Sequence, residues 1–193
     1  MGFEFEIKFR ATPQQLQALR SAFSVPEQHF AMETTYYDTP EGDLSARAYT
    51  LRRRMENELS VCTLKTPAGE LGRGEYELRC DCIEDAIPEL CKLSGIAELP
   101  ALAQKGLICV CGAKFDRIAK ILTLPECTVE LALDLGVLTG GGRAEPLCEV
   151  EVELKSGSQA AALAFARQLA ADYGLHPETK SKFRRALALA ERA

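Results

Sequence analysis

Near the start of the chain, Glu4, Glu6 and Lys8 alternate with Phe5 and Ile7. Near its end, Glu149, Glu151 and Glu153 alternate with Val150 and Val152. Alternation at period two puts each charged set on one face of a strand. Same-face neighbours are ~6.6–6.8 Å apart, so like charges there repel unless water or cations neutralise them. For any one strand, the ordinary reading is a solvated outer face with apolar residues turned inward. Several strands together read differently. Arg52 and Arg54 share a face that excludes Arg53. Lys65, and then Arg73, Glu75 and Glu77, repeat the alternation, while Arg117 and Asp134 stand inside further strand segments. If these faces converge, a carboxylate wall opposes an Arg/Lys wall. That pairing suits a polyanion bridged by divalent metal. Carboxylate oxygens take Mg²⁺ or Mn²⁺, and arginine forks and lysine point charges take phosphate oxygens.

The elements that must position these residues follow from pattern. A strand over 2–10 is followed by a helix from Pro13 to about Ala22, with Thr12 as N-cap and Gln15 completing a capping box. Strands are expected over 34–38, 47–55, 59–66 and 74–82. Short helices over 84–93 and 100–105 are stopped by Gly95 and Gly106. Strands resume over 107–115, 117–124, 127–135 and 147–154. Ser158 caps an alanine-rich helix to about Tyr173, and a last helix runs from about Glu178 to Ala190. The expectation is nine strands, five helices and a mainly antiparallel sheet, since consecutive strands have short connections.

The 193 residues fit one domain, at roughly 100–200 residues each. A formal charge of −5 argues against a general nucleic-acid binder. The apolar runs are far shorter than the ~18 residues of a membrane span, and no basic-then-apolar leader opens the chain. The eight cysteines read as reduced thiols of a cytoplasmic protein, with Cys62, Cys109 and Cys127 acting as small hydrophobes inside apolar runs. Two Cys-x-Cys pairs and two histidines are a poor zinc set. Gly140-Gly141-Gly142 is a loop between strands, without the Lys-Ser/Thr of a P-loop.

Taken in order, Glu4-x-Glu6-x-Lys8, Tyr37-Asp38-Thr39-Pro40, Leu51-Arg52-Arg53-Arg54, Thr63-Leu64-Lys65, Arg73-Gly74-Glu75-Tyr76, Asp134-x-Gly136, Glu149 to Gly157 and Ser181-Lys182 resemble the CYTH superfamily, the triphosphate tunnel metalloenzymes. The resemblance is greatest to bacterial inorganic triphosphatases. It covers nearly the whole chain and implies a single CYTH domain over 1–193. The implied fold is α+β: an eight-stranded antiparallel β-barrel forming a tunnel, with helices packed outside.

The resemblance also implies a division of labour. Glu4, Glu6, Asp134, Glu151 and Glu153 would ligate two Mg²⁺ or Mn²⁺ ions. Glu149 shares their face nearer the rim, where metal ligation and a solvated structural role both stay open. Lys8, Arg52, Arg54, Lys65, Arg117 and Lys182 would hold phosphate, with Arg73 and Glu75 extending the cradle. Catalysis would rest on Glu4, Glu6, Lys8 and Glu153. Arg117 fits the family spacing better than Lys114; Arg53 and Arg10 are expected to be ordinary surface charges. His29, in a loop after the first helix, and His176, in the turn before the last, have no role. Lys182 is expected to face the tunnel and contribute little to stability, while Phe183, Leu187 and Ala190 anchor the last helix.

The implied reaction is hydrolysis of inorganic triphosphate to pyrophosphate and phosphate in the cytoplasm, without nucleic-acid or membrane partners. A CHAD domain in a longer chain would fit the family. The alternatives are a class IV-type adenylate cyclase, a thiamine or nucleoside triphosphatase, and a polyphosphate-binding module. An aromatic content of 7% without tryptophan offers a purine no obvious stacking platform.

Overall fold

The computed structural model describes residues 5–68 and 72–191. Its elements are β1 (Glu6–Arg10), α1 (Pro13–Ala22), β2 (Glu27–Asp38), α2 (Asp43–Ala46), β3 (Thr50–Glu56), β4 (Leu59–Ala68), β5 (Gly72–Arg79), α3 (Ile83–Ser94), α4 (Leu99–Ala103), β6 (Ile108–Thr123), β7 (Cys127–Gly140), β8 (Arg143–Gly157), α5 (Gln159–Tyr173), β9 (His176–Pro177) and α6 (Lys182–Ala190). All the strands join one antiparallel sheet in the order β5-β4-β3-β2-β6-β7-β8-β1-β9. Eight are long strands and β9 is a two-residue pairing with β1. Residues of β1, β3 and β4, from opposite ends of that order, line one cavity, so the sheet curls around it.

The register gives the sheet two chemically different faces. Directly opposed residues share a face, and the ladders place Glu6 opposite Glu153, Lys8 opposite Glu151, Asp134 opposite Glu149 and Arg117 opposite Asp134. Across the sheet, Thr34 faces Arg54, Thr50 faces Lys65, and Lys65 faces Glu75. All these charged residues lie on the concave side.

The convex side is apolar and covered by helices. Phe9, Leu131, Leu133, Val150 and Val152 pack against Leu16 and Leu19 of α1 and Ala162, Ala166 and Leu169 of α5. Leu51, Cys62 and Leu64 pack under α3 and α4. The last helix, unlike α1, α3, α4 and α5, lies on the concave side. Phe183, Ala186 and Leu189 of α6 pack on Met32, Tyr36, Phe115 and Leu147, residues of the concave face. α6 therefore fills one part of the sheet's interior.

Several expected boundaries shift. β6 is one strand where two were expected, because its ladders with β2 and β7 run unbroken past Asp116. β2 begins at Glu27, ahead of Thr34, since pairing with β6 supplies the order that its polar start lacks. His29 therefore lies on a strand, exposed beside Glu27. The one-turn α2 carries no apolar period for a sequence to reveal. α6 starts at Lys182, because Ser181 is the N-cap and residues 176–178 are spent on β1, with Glu178 N donating to Lys8 O. The Thr12/Gln15 capping box and the Ser158 cap form as expected.

Gly141 and Gly142 make the two-residue turn between β7 and β8, with φ of 57° and 72°. Both angles positive match the hairpin turn whose twist suits its strands. Gly140 and Gly141 also touch α6. A Cβ on Gly140 would stand 2.3 Å from Ala186 O, and one on Gly141 2.7 Å from Ala190 Cα.

Candidate active site

The cavity holds about 930 Å³. Glu6, Lys8, Glu151 and Glu153 line one side; Arg52, Arg54 and Lys65 line the other; Arg117 and Lys182 also line it. Thus β1 and β8 deliver carboxylates, β3 and β4 deliver cations, and α6 delivers its first turn.

On the basic side, Glu75 is the organising group. It accepts from Arg52 at 3.0 Å and pairs with Lys65 at 2.9 Å, and it is only 9% exposed. Arg54 makes long contacts, 3.4 Å to Thr34 Oγ1 and 3.5 Å to Glu56. Its pKa is lowered, first by burial and then by Arg52 and Arg117. A buried guanidinium so placed is suited to an anion. Arg53, on the other face, donates to Asp81 O, as the alternation requires.

The acidic side has a floor the sequence did not foretell. Asp134 and Glu149 are both fully buried, so the solvated-rim reading of Glu149 is wrong. Arg117 grips Asp134 with two hydrogen bonds of 2.7 Å and also donates to Glu151. Lys182 lies 2.9 Å from Asp134 and donates to both Glu149 and Glu151. Arg185 donates to Glu149 at 2.9 Å and to Glu145 at 3.1 Å. Burial pushes the Glu149 carboxyl up, to about 7. Burial also acts upward on Glu151, but Lys182 and Arg117 outweigh it and hold that carboxyl well below the usual range. The burial of Lys182 also argues against the expectation that it adds little to stability. Lys182 is 8% exposed and pairs with three buried carboxylates, so its loss would leave them one buried negative charge in excess of Arg117 and Arg185.

Arg185 escaped the sequence reading, although its spacing from Lys182 (one helical turn) puts both on one face. The anchoring set on α6 is Phe183, Ala186 and Leu189, with Leu187 only half-buried. Lys114 is exposed and paired with Glu33, away from the cavity. Arg10 is exposed and paired with Glu178. Cys111, not the exposed Cys109, is the buried thiol of β6. Glu4 lies outside the described residues. Arg73 stands opposite Pro67 in β5, with its side chain outside them.

Asp134, Glu149 and Glu151 offer oxygens within 4.8 Å of one another, a set of hard donors that suits Mg²⁺ or Mn²⁺. Among the described residues, no helix is long and apolar enough to cross a membrane.

Comparison with known proteins matches the CYTH domain over residues 2–187. An inorganic triphosphatase of Haemophilus influenzae is 29% identical over 190 residues, covering 94% of this chain and 53% of that protein. The chain thus spans about half the length of this curated relative. A Bacillus halodurans structure assigned as an adenylate cyclase superposes with TM-score 0.68 at 17% identity, covering 96% of this chain and 98% of that one. A Hippeastrum protein, described as an adenylyl cyclase with dominant triphosphatase activity, gives 0.67 at 19%, covering 98% and 97%. At these identities the two structures speak for the fold.

Proposed function

Because the chain belongs to the CYTH domain family, we propose that it hydrolyses inorganic triphosphate to pyrophosphate and phosphate, dependent on a divalent metal, in the cytoplasm. The observation that carries this reading is the cavity with two oppositely charged walls. A simple anion binder would be weakened by Glu6, Glu151 and Glu153; a metal-bridged triphosphate uses both walls. The triphosphatase relative supports the choice of substrate.

The roles follow from position in the cavity and, for Glu4, from the family motif alone. Arg52, Arg54 and Lys65 hold phosphate oxygens on one side, and Lys8, Arg117 and Lys182 on the other. Glu75 orients Arg52 and Lys65. Asp134, Glu149 and Glu151 would hold one Mg²⁺ or Mn²⁺ ion, and Glu4, Glu6 and Glu153 a second. The bound metal supplies charge neutralisation and a water of lowered pKa. Positioning and neutralisation are most of what the protein contributes to phosphoryl transfer. Neither histidine is needed.

The test is phosphate release from inorganic triphosphate, ATP and thiamine triphosphate, with cyclic AMP followed in parallel. Chelator-treated protein should be inactive and recover with Mg²⁺ or Mn²⁺, with inorganic triphosphate turned over fastest. Full activity in excess chelator removes the metal from the reading. Cyclic AMP as the main product makes the chain a cyclase.

A further inference from the structure

Helix α6 brings two cations to one carboxylate. Lys182 donates to Oε1 of Glu149 and Arg185 to Oε2. With Arg117 on Asp134 and Glu151, three buried carboxylates face three cations. The two α6 cations are held differently. Lys182 lines the cavity and carries a compact charge on a flexible stem. Arg185 spreads its fork over Glu145 and Glu149, with Glu178 3.8 Å away.

The oxygens that Lys182 occupies are those of Asp134, Glu149 and Glu151, which lie within 4.8 Å of one another. An ammonium and a divalent ion cannot share so small a space in a poorly screened interior. We infer that Lys182 is an exchangeable resident cation: entry of a divalent ion among Asp134, Glu149 and Glu151 expels its ammonium into the cavity, while Arg185 keeps α6 docked. The inference rests on the metal dependence proposed above and adds an order to it. The metal releases the lysine that then serves the phosphates, so the phosphate grip is complete only once metal has bound.

Mn²⁺ binding without any triphosphate, read by electron paramagnetic resonance, tests this on wild type and Lys182→Gln. The variant should bind Mn²⁺ at least tenfold more tightly, having no ammonium to expel. Equal or weaker binding overturns the exchange. Binding by neither protein overturns the exchange and the metal reading together. Should the variant misfold, the wild type alone decides through acylation of lysine amines mapped by mass spectrometry. Labelling of Lys182 should rise severalfold with Mn²⁺, while the exposed Lys105 stays constant; no rise at Lys182 overturns the exchange. Neither readout uses hydrolysis, so a failure of the catalytic reading shows separately.

Discussion

The floor beneath the acidic wall and the basic wall opposite carry similar numbers of charges but balance them differently. Asp134, Glu149 and Glu151 are buried and matched by Arg117, Lys182 and Arg185 at hydrogen-bonding distance. Among the described residues, Arg52 and Lys65 share the well-buried carboxylate Glu75, while Glu77, 3.6 Å from Arg52, and Glu56, 3.5 Å from Arg54, are more exposed and screened by water. A balanced set holds structure together, since removing one member leaves a buried charge unmatched. A cation excess in a cavity leaves charge for a ligand, and removing one member relieves repulsion. The first region should therefore fail in stability as well as in activity, and the second in activity alone.

The largest effect should come from Glu149→Ala. It leaves Lys182 to Asp134 and Glu151 and Arg185 to Glu145, one buried positive charge in excess, and breaking a buried pair costs about 3–5 kcal/mol. For a domain of this size that lowers Tm by about 10 °C. A Tm within 2 °C of wild type, on the order of 1 kcal/mol or less, would put the balanced cluster in doubt as a structural device.

Next is Arg54→Ala. Loss of a charge-assisted contact costs roughly 1.5–3 kcal/mol, about one to two decades in triphosphate hydrolysis if felt in the transition state. Its melting temperature should stay near wild type, because Arg52 and Arg117 lose a like-charged neighbour. A collapse of folding with Arg54 gone would erase the contrast between the walls. The smallest effect should be that of Arg53→Ala, within about 0.5 kcal/mol in stability and with unchanged hydrolysis. Greater sensitivity at Arg53 than at Arg54 would mean that the β3 register is wrong.

Which charges share a face was legible in the sequence. Period two alone put Glu6 with Lys8, Arg52 with Arg54, and Glu149 with Glu151 and Glu153, and the ladders keep those sets. The ordered motifs supplied the fold that periodicity could not. Depth was not legible, because it depends on what covers a face. Glu149 looked like a rim residue until α6 was found lying on it. Lys182 lines the cavity as expected, but its burial among carboxylates was hidden, and Arg185 was missed, because their hydrogen-bond partners are more than 30 residues away. Continuity of β6 was hidden because Asp116 reads as a break, though it points outward on an unbroken ladder.

The close fit of Gly140 and Gly141 to α6 makes that helix a lever. Its nine residues span about 13 Å. One end rests on the hairpin turn, where no side chain intervenes, and the other carries Lys182. A tilt of about 5° about the glycine end moves the lysine end by roughly 1 Å. An error of that size at a reacting group can cost about 10²-fold in rate. An added methyl at Gly140, which lines no part of the cavity, would press on Ala186 O at the middle of the helix as a wedge and throw the far tip out of alignment.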